Sequence, residues 1–231
     1  MLSTPTSARA NLVVWHLTDS ALPTGAFSHS AGLETSVQAG DVTDAGSFLT
    51  WLRGYLRQAT YGEALAVVLG LRIGSVDKLA SLDELCFSTQ TASEQRAAMR
   101  AMGKRMAKVA RIIEPDDPLV AEYDAGLRER RYMGNPGIAA GLVLRAAGVD
   151  ERTAAAAYLM QMASSMTQNA IRAIPLGQDA GQRIIVQMYS DLPQLAELTC
   201  SRSEEDLGVS FPRLEIAQME HEYIRSRMFM S

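Results

Sequence analysis

The sequence predicts an all-α fold: a single compact domain of about ten helices, with two long helices near the centre. Three observations carry this expectation. Alanine, leucine and methionine are abundant and aromatic residues make up only 6%, a composition that favours helix over strand. Apolar residues recur at helical spacing in several long stretches. No stretch shows a convincing apolar/polar alternation, and no repeat of 20–50 residues is visible.

Taken in order, Met1–Ala8 is small and polar with Pro5, and reads as a disordered tail; residues 9–231 read as the domain. Asn11–Thr18 reads as a short buried helix, although so brief an apolar run is also compatible with a strand. Asp44–Thr60 places Phe48, Leu49, Leu52, Tyr55 and Leu56 on one helical face. Tyr61–Ile73 is apolar nearly all round, which predicts a helix at the centre of the core. Gly74-Ser75 ends it, and Asp77–Phe87 follows as a short helix.

Thr91–Ile113 is the longest regular pattern. Met99, Met102, Met106, Val109 and Ile113 step by three and four, a seam that faces another helix. Pro115 and Pro118 stop it, and Leu119–Arg130 is a weaker helix. Pro136 begins the next helix, Gly137–Ala147. Asp150–Ile174 is the second long helix; its small polar residues Ser164, Ser165, Thr167, Gln168 and Asn169 permit close helix approach. Pro175 and Gly177 break it. Ala180–Ser190 and Asp191–Ser201 read as two short helices, and Leu214–Phe229 as the last.

With 231 residues the chain buries roughly 70–75% of its unfolded surface and needs no metal or disulfide to fold. A net charge of −4 and no basic face argue against a nucleic-acid partner. Cys86 and Cys200 form no Cys-x-x-Cys pair, consistent with a reduced, cytoplasmic setting. Neither a signal peptide nor a membrane-spanning run is expected. His16, His29 and His221 lack the spacing of metal ligands, and the phosphate-binding glycine loops are missing. No cofactor and no catalytic residue is predicted on these grounds.

Three stretches carry unusual residue combinations. In Leu22-Pro23-Thr24-Gly25-Ala26-Phe27-Ser28-His29-Ser30-Ala31-Gly32-Leu33-Glu34, a Pro-x-Gly turn precedes a helix that Ser28 or Ser30 can cap. In Arg172–Arg183 a helix is interrupted by Pro175-Leu176-Gly177 and resumes with Gln178 and Gln182, either a plain turn or a rigid loop for a partner. In Glu215–Ser231, His221, Arg227, Met228 and Phe229 end the chain; the apolar end either packs on its own core or awaits a partner groove.

These three stretches resemble the UreF family of urease accessory proteins. Its members carry Leu-Pro-x-Gly-x-Phe-Ser-(His or Tyr)-Ser-x-Gly-Leu-Glu near the start, Arg-x-Ile-Pro-Leu-Gly-Gln-x-x-Gly-Gln later, and an Ile-Ala-x-Met-x-His-Glu…Ser-Arg-Leu-Phe-x-Ser tail. Ala26 stands where glycine is common and Glu220 where arginine is common. The resemblance implies a non-catalytic homodimer that bridges a UreD- or UreH-type protein and the UreG-type GTPase, modulates that GTPase, and serves GTP-dependent nickel delivery to apo-urease. It implies partner contacts at Phe27, Ser28, His29, Glu34, Arg172, Pro175, Leu176, Gly177, Gln178, Gln182, His221, Arg227, Met228 and Phe229, with residues 214–231 forming the tail for the UreD-type protein. The competing reading is a small helical hydrolase using Ser28, His29 and Glu34.

Overall fold

Helix starts in this chain are written by side chains that accept the first free amides. Ser7, Asp44, Ser75, Asp117, Asn135 and Asp150 each accept a backbone N–H of the helix that follows. Pro118 and Pro136 sit in first turns, where a missing N–H costs nothing. A computed structural model describes residues 7–208 and 211–231. Among them lie eleven α-helices, and no strand. They are α1 (Ala8–Thr18), α2 (Leu33–Gln38), α3 (Ala45–Ala59), α4 (Glu63–Arg72), α5 (Val76–Ser88) and α6 (Ser93–Ile113). After these come α7 (Pro118–Arg128), α8 (Pro136–Ala146), α9 (Glu151–Ala173), α10 (Gln178–Cys200) and α11 (Pro212–Glu220).

The all-round apolar α4 lies at the centre, as its sequence predicts: every residue from Ala64 to Gly70 is buried. It lies between two core clusters and contributes to both. Leu65 and Leu69 join the side built by α1, α5, α6, α7 and α8; Ala64 and Val68 join the side built by α2, α3, α9 and α10. Helix α8 is its main neighbour and is buried from Pro136 to Leu144. The two backbones touch. A Cβ on Gly141 would meet the Val67 carbonyl and lie 2.8 Å from Gly70 Cα; one on Gly137 would lie 2.7 Å from the Glu63 carbonyl. The long α6 turns its Met99–Met102–Met106–Val109 seam inward as expected. The long α9 packs along α10, α4 and α3.

Four expectations are corrected. Residues 1–6 of the expected disordered tail lie outside the described residues, but Ser7 caps α1 and Ala8 begins it. The two short helices predicted for 180–201 are one 23-residue helix, α10, which runs through Pro193. Met188, Leu192, Ala196 and Thr199 keep one face in the core and hold the helix together where proline removes a hydrogen bond. The last helix stops at Glu220 rather than Phe229, passes through a 3-10 turn at His221–Tyr223 and continues without helix. The N-cap position of α2 is Gly32, at φ +91°, rather than Ser28 or Ser30, although Ser30 Oγ accepts the first-turn Glu34 amide at 3.4 Å.

One buried carboxylate orders the turn between α7 and α8. Asp83, 2% exposed, accepts hydrogen bonds from Tyr123 Oη (2.6 Å), the Met133 amide (2.6 Å) and the Gly134 amide (3.1 Å). Tyr123 Oη in turn accepts the Asn135 amide at 2.8 Å. Asp83→Ala leaves these donors buried without an acceptor, and is expected to cost about 3 kcal/mol. Urea unfolding reads this directly; a midpoint within error of the parent protein would refute it.

Candidate partner-binding surface

The N-terminal signature turn is shaped by two glycines. Gly25 adopts φ +84° and opens a 3-10 turn at Ala26–Ser28, inside which Ser28 Oγ donates to the Gly25 carbonyl at 2.7 Å. Gly32 adopts φ +91°, and a Cβ there would press within 3.3 Å of Gln218 and 3.4 Å of Ala217 on α11. Both glycines therefore serve positions that a side chain would strain. Thr35 Oγ1 then ties α2 to α11 by donating to the Ala217 carbonyl at 2.7 Å.

The chain's last residues close onto this turn. Glu34, 6% exposed, sits at their centre. Its carboxylate accepts the amides of Met228 (2.6 Å) and Phe229 (3.1 Å) and contacts His221 Nε2 at 3.0 Å. The His221 ring is fully buried, and its Nδ1 lies 2.7 Å from the Glu94 carboxylate of α6. A ring flanked this way donates both bonds only in its doubly protonated form. Arg227 completes the chain with a 2.5 Å ion pair to the second Glu94 oxygen. Burial opposes ionisation of Glu94, but the bonds to His221 and Arg227 outweigh it and hold its carboxyl below the usual range.

A second set of contacts fixes the very end. The Ser231 carbonyl accepts the Ser30 and Ala31 amides at 2.5 and 3.2 Å, and the Met230 amide donates to the Ser28 carbonyl at 2.8 Å. His29 Nδ1 lies 2.7 Å from Ser231 Oγ; burial first, and the charge of His221 second, push the His29 ring toward its neutral form. From α9, Asn169 Nδ2 donates to the His29 carbonyl at 2.8 Å, and Arg172 donates to the Phe27 carbonyl at 2.7 Å. The Arg172 guanidinium also lies 4.7 Å from the centre of the buried Phe229 ring. Turn, α9 end and tail, far apart in sequence, form one surface.

Comparison with known proteins shows the family of the chain. The UreF family model matches residues 42–189. A relative named urease accessory protein UreF, from Paenarthrobacter aurescens (strain TC1), is 39% identical over 97% of this chain and 100% of its own length. Relatives of the same name from Arthrobacter sp. (strain FB24) and Bacillus sp. (strain TB-90) are 40% and 38% identical, each over 95% of this chain. The chain belongs to the UreF family. The turn and the tail fall outside the stretch matched by the family model.

In this UreF-family chain the residues predicted from sequence separate into three kinds. Glu34, His221 and Phe229 are buried and hold the surface together; His29 is half-buried beside them. Phe27 and Met228 are exposed, at 63% and 56%, and face outward. Pro175, Gly177, Gln178 and Gln182 are also exposed, whereas Leu176 is buried in the core with Ile174 and only positions the loop. The hydrolase arrangement is not assembled. Ser28 Oγ is spent on Gly25, His29 Nδ1 on Ser231, and Glu34 on the tail and His221, so no nucleophile–base–acid chain links the three.

Glu94, Asn169 and Ser231 escaped the sequence reading. Glu94 lies 127 residues from His221, and nothing in its local pattern marks it. The Glu34–His221 pair was discoverable in principle, because an acid and a base both stood in unusual stretches. The C-terminal stretch exposes several apolar side chains: Ile216, Met219, Tyr223, Met228 and Met230, with Tyr223 83% exposed. Ile216, Met219 and Tyr223 follow helical spacing on and just beyond α11. Among the described residues no helix is long and apolar enough to cross a membrane, and no cluster of three metal-ligating side chains occurs.

Proposed function

We propose that this protein is a non-catalytic scaffold in urease maturation, joining a UreD/UreH-type protein to a UreG-type GTPase. In this reading it serves the GTP-dependent insertion of nickel into apo-urease, modulates the GTPase, works as a homodimer and acts in the cytoplasm, with nickel as cargo. The observation that carries the reading is the exposed apolar set Ile216, Met219, Tyr223, Met228 and Met230 in a C-terminal stretch already anchored by Glu34. Exposed methionine and tyrosine on a fixed support are the side chains that anchor protein interfaces. This set is assigned to the UreD/UreH-type protein. Phe27, Arg172 and the Pro175–Gln182 loop, on the turn side of the same region, are assigned to the GTPase or to the second copy.

Truncation after Ile224 is the test. It removes the anchored tail while α1 to α11 remain. The expected result is loss of co-purification with the UreD/UreH-type protein, unchanged helicity by circular dichroism, and loss of any change in GTP hydrolysis that the full chain causes. Full retention of the partner by the truncated chain would overturn the assignment.

A further inference from the structure

Two small cavities, of about 50 and 60 Å³, share Tyr55, Glu63, Gln95 and Met162 as a common wall between α3, α4, α6 and α9. Their lining is unusual in charge. Among the described residues no lysine or arginine lines either one, whereas Glu63 lines both and Glu215 lines the second. His29, on the far side of the first cavity, is the one base present, and its ring is pushed toward the neutral form by burial. Glu63 therefore faces no positive charge.

The neutral groups beside it are unpaired. Gln95 is 7% exposed, and its Oε1 has no hydrogen-bond partner among the described residues. Gln58 Oε1, on the wall of the second cavity, is likewise buried without a partner. Buried amide oxygens are ordinarily satisfied, and leaving one unsatisfied costs about 1–3 kcal/mol. Among the described residues the Glu63 carboxylate has one hydrogen-bond neighbour, the Tyr158 hydroxyl, which donates at a long 3.3 Å. Glu63 and Gln95 border both cavities and Gln58 borders the second, so three oxygen acceptors with few donors line space large enough for a body the size of a water molecule.

We propose that this cavity pair is a binding site for one small monovalent cation of the potassium or ammonium kind. Glu63 supplies the counter-charge, and the side-chain oxygens of Gln58 and Gln95 act as neutral ligands. An all-oxygen set favours hard ions over nickel, which prefers imidazole and thiolate. Among the described residues Glu63 is the one carboxylate that lines both cavities, and it balances one positive charge; Glu215, on the second cavity alone, accepts from Thr91.

Proton linkage gives the site a pH signature. Burial raises the Glu63 carboxyl from its ordinary 4.5 to about 7, against a small opposing effect of Tyr158. The folded chain thus keeps a proton where the unfolded chain has lost it. Without a cation, folded stability falls as pH rises from about 4.5 to about 7 and stays reduced above that. A cation displaces this proton, so its binding strengthens toward pH 8 and fades below about pH 6.

The test melts the whole protein and its Glu63→Gln variant at pH 8 and pH 5.5, in potassium, ammonium, sodium or choline chloride at equal ionic strength. At pH 8 potassium or ammonium is expected to raise the wild-type midpoint above that in choline by about 2–4 °C. The comparison of potassium with ammonium and sodium identifies the ion. Glu63→Gln should show no such difference, and neither protein should show it at pH 5.5. Crystals of the wild type soaked in rubidium chloride should give an anomalous peak between Glu63 and Gln95, a readout that does not depend on the variant folding. Equal midpoints in choline and potassium at pH 8, with water alone in the soaked cavity, would overturn the proposal. A larger rise with magnesium chloride would overturn its monovalent form.

Discussion

Gly141→Ala is expected to lower the stability of this protein by about 3 kcal/mol or more, although alanine is the better helix former by nearly 1 kcal/mol. The added methyl group would point at the Val67 carbonyl and at Gly70 Cα, 2.8 Å away. Both are backbone atoms of the buried Ala64–Gly70 stretch of α4, so neither can rotate aside. To admit one carbon, α4 and α8 must separate, and the two core clusters that meet along α4 must separate with them. Gly54→Ala in α3 is the matched control, because nothing lies within 4 Å of its added Cβ and the position is exposed. There the propensity term acts alone, and a gain of about 0.5–1 kcal/mol is expected. Urea midpoints that move together, in the same direction, would show that the helix crossing is not as tight as described.

The second large effect is local. Glu34→Gln removes the charge that gathers two tail amides and His221, and the two amides reach different carboxylate oxygens. A carboxamide keeps one acceptor and turns an N–H₂ toward the other site, so one of the two tail amides loses its partner. The expected cost to tail docking is about 3 kcal/mol, while the α4–α8 core, which Glu34 does not touch, keeps its stability. Exchange of the Met228 and Phe229 amides should accelerate by about 100-fold, and trypsin should cut at Arg225 and Arg227 far faster than in the parent chain. Binding of the UreD/UreH-type protein should weaken in parallel. Unchanged protection of Phe229 would sink the anchor role of Glu34.

Local pattern was enough for much of this fold. The face of α3, the methionine seam of α6 and the all-round apolar α4 were legible because burial imposes helical spacing on them. The split expected between 190 and 191, just before Pro193, is absent because a proline's penalty is local, whereas the compensation comes from Leu192 and Ala196 packing on distant helices. The tail was misread as helix for a similar reason: Met228 and Phe229 give their amides to Glu34, 194 and 195 residues away, and no window of sequence contains both ends. Of the candidate surface, the unusual stretches stood out in the sequence and the residues they lean on did not. Asn169 looked like one of several small polar residues on α9, yet it is fully buried and bonded to the His29 carbonyl. The role of Asp83 was invisible because Tyr123 and the 133–135 turn meet it only in space.

The distance between Glu34 and the amides it binds has a consequence for biosynthesis. A ribosome delivers the signature turn early and the residues that complete it 194 positions later. The α4–α8 pairing can form while translation continues, but the surface around Glu34 cannot. A chain interrupted between the end of α10 and Met228 would carry the helices of both core clusters without the anchored end. Any partner that reads this surface would therefore engage only chains whose synthesis has run to the tail, and would discriminate against truncated ones with no separate proofreading step.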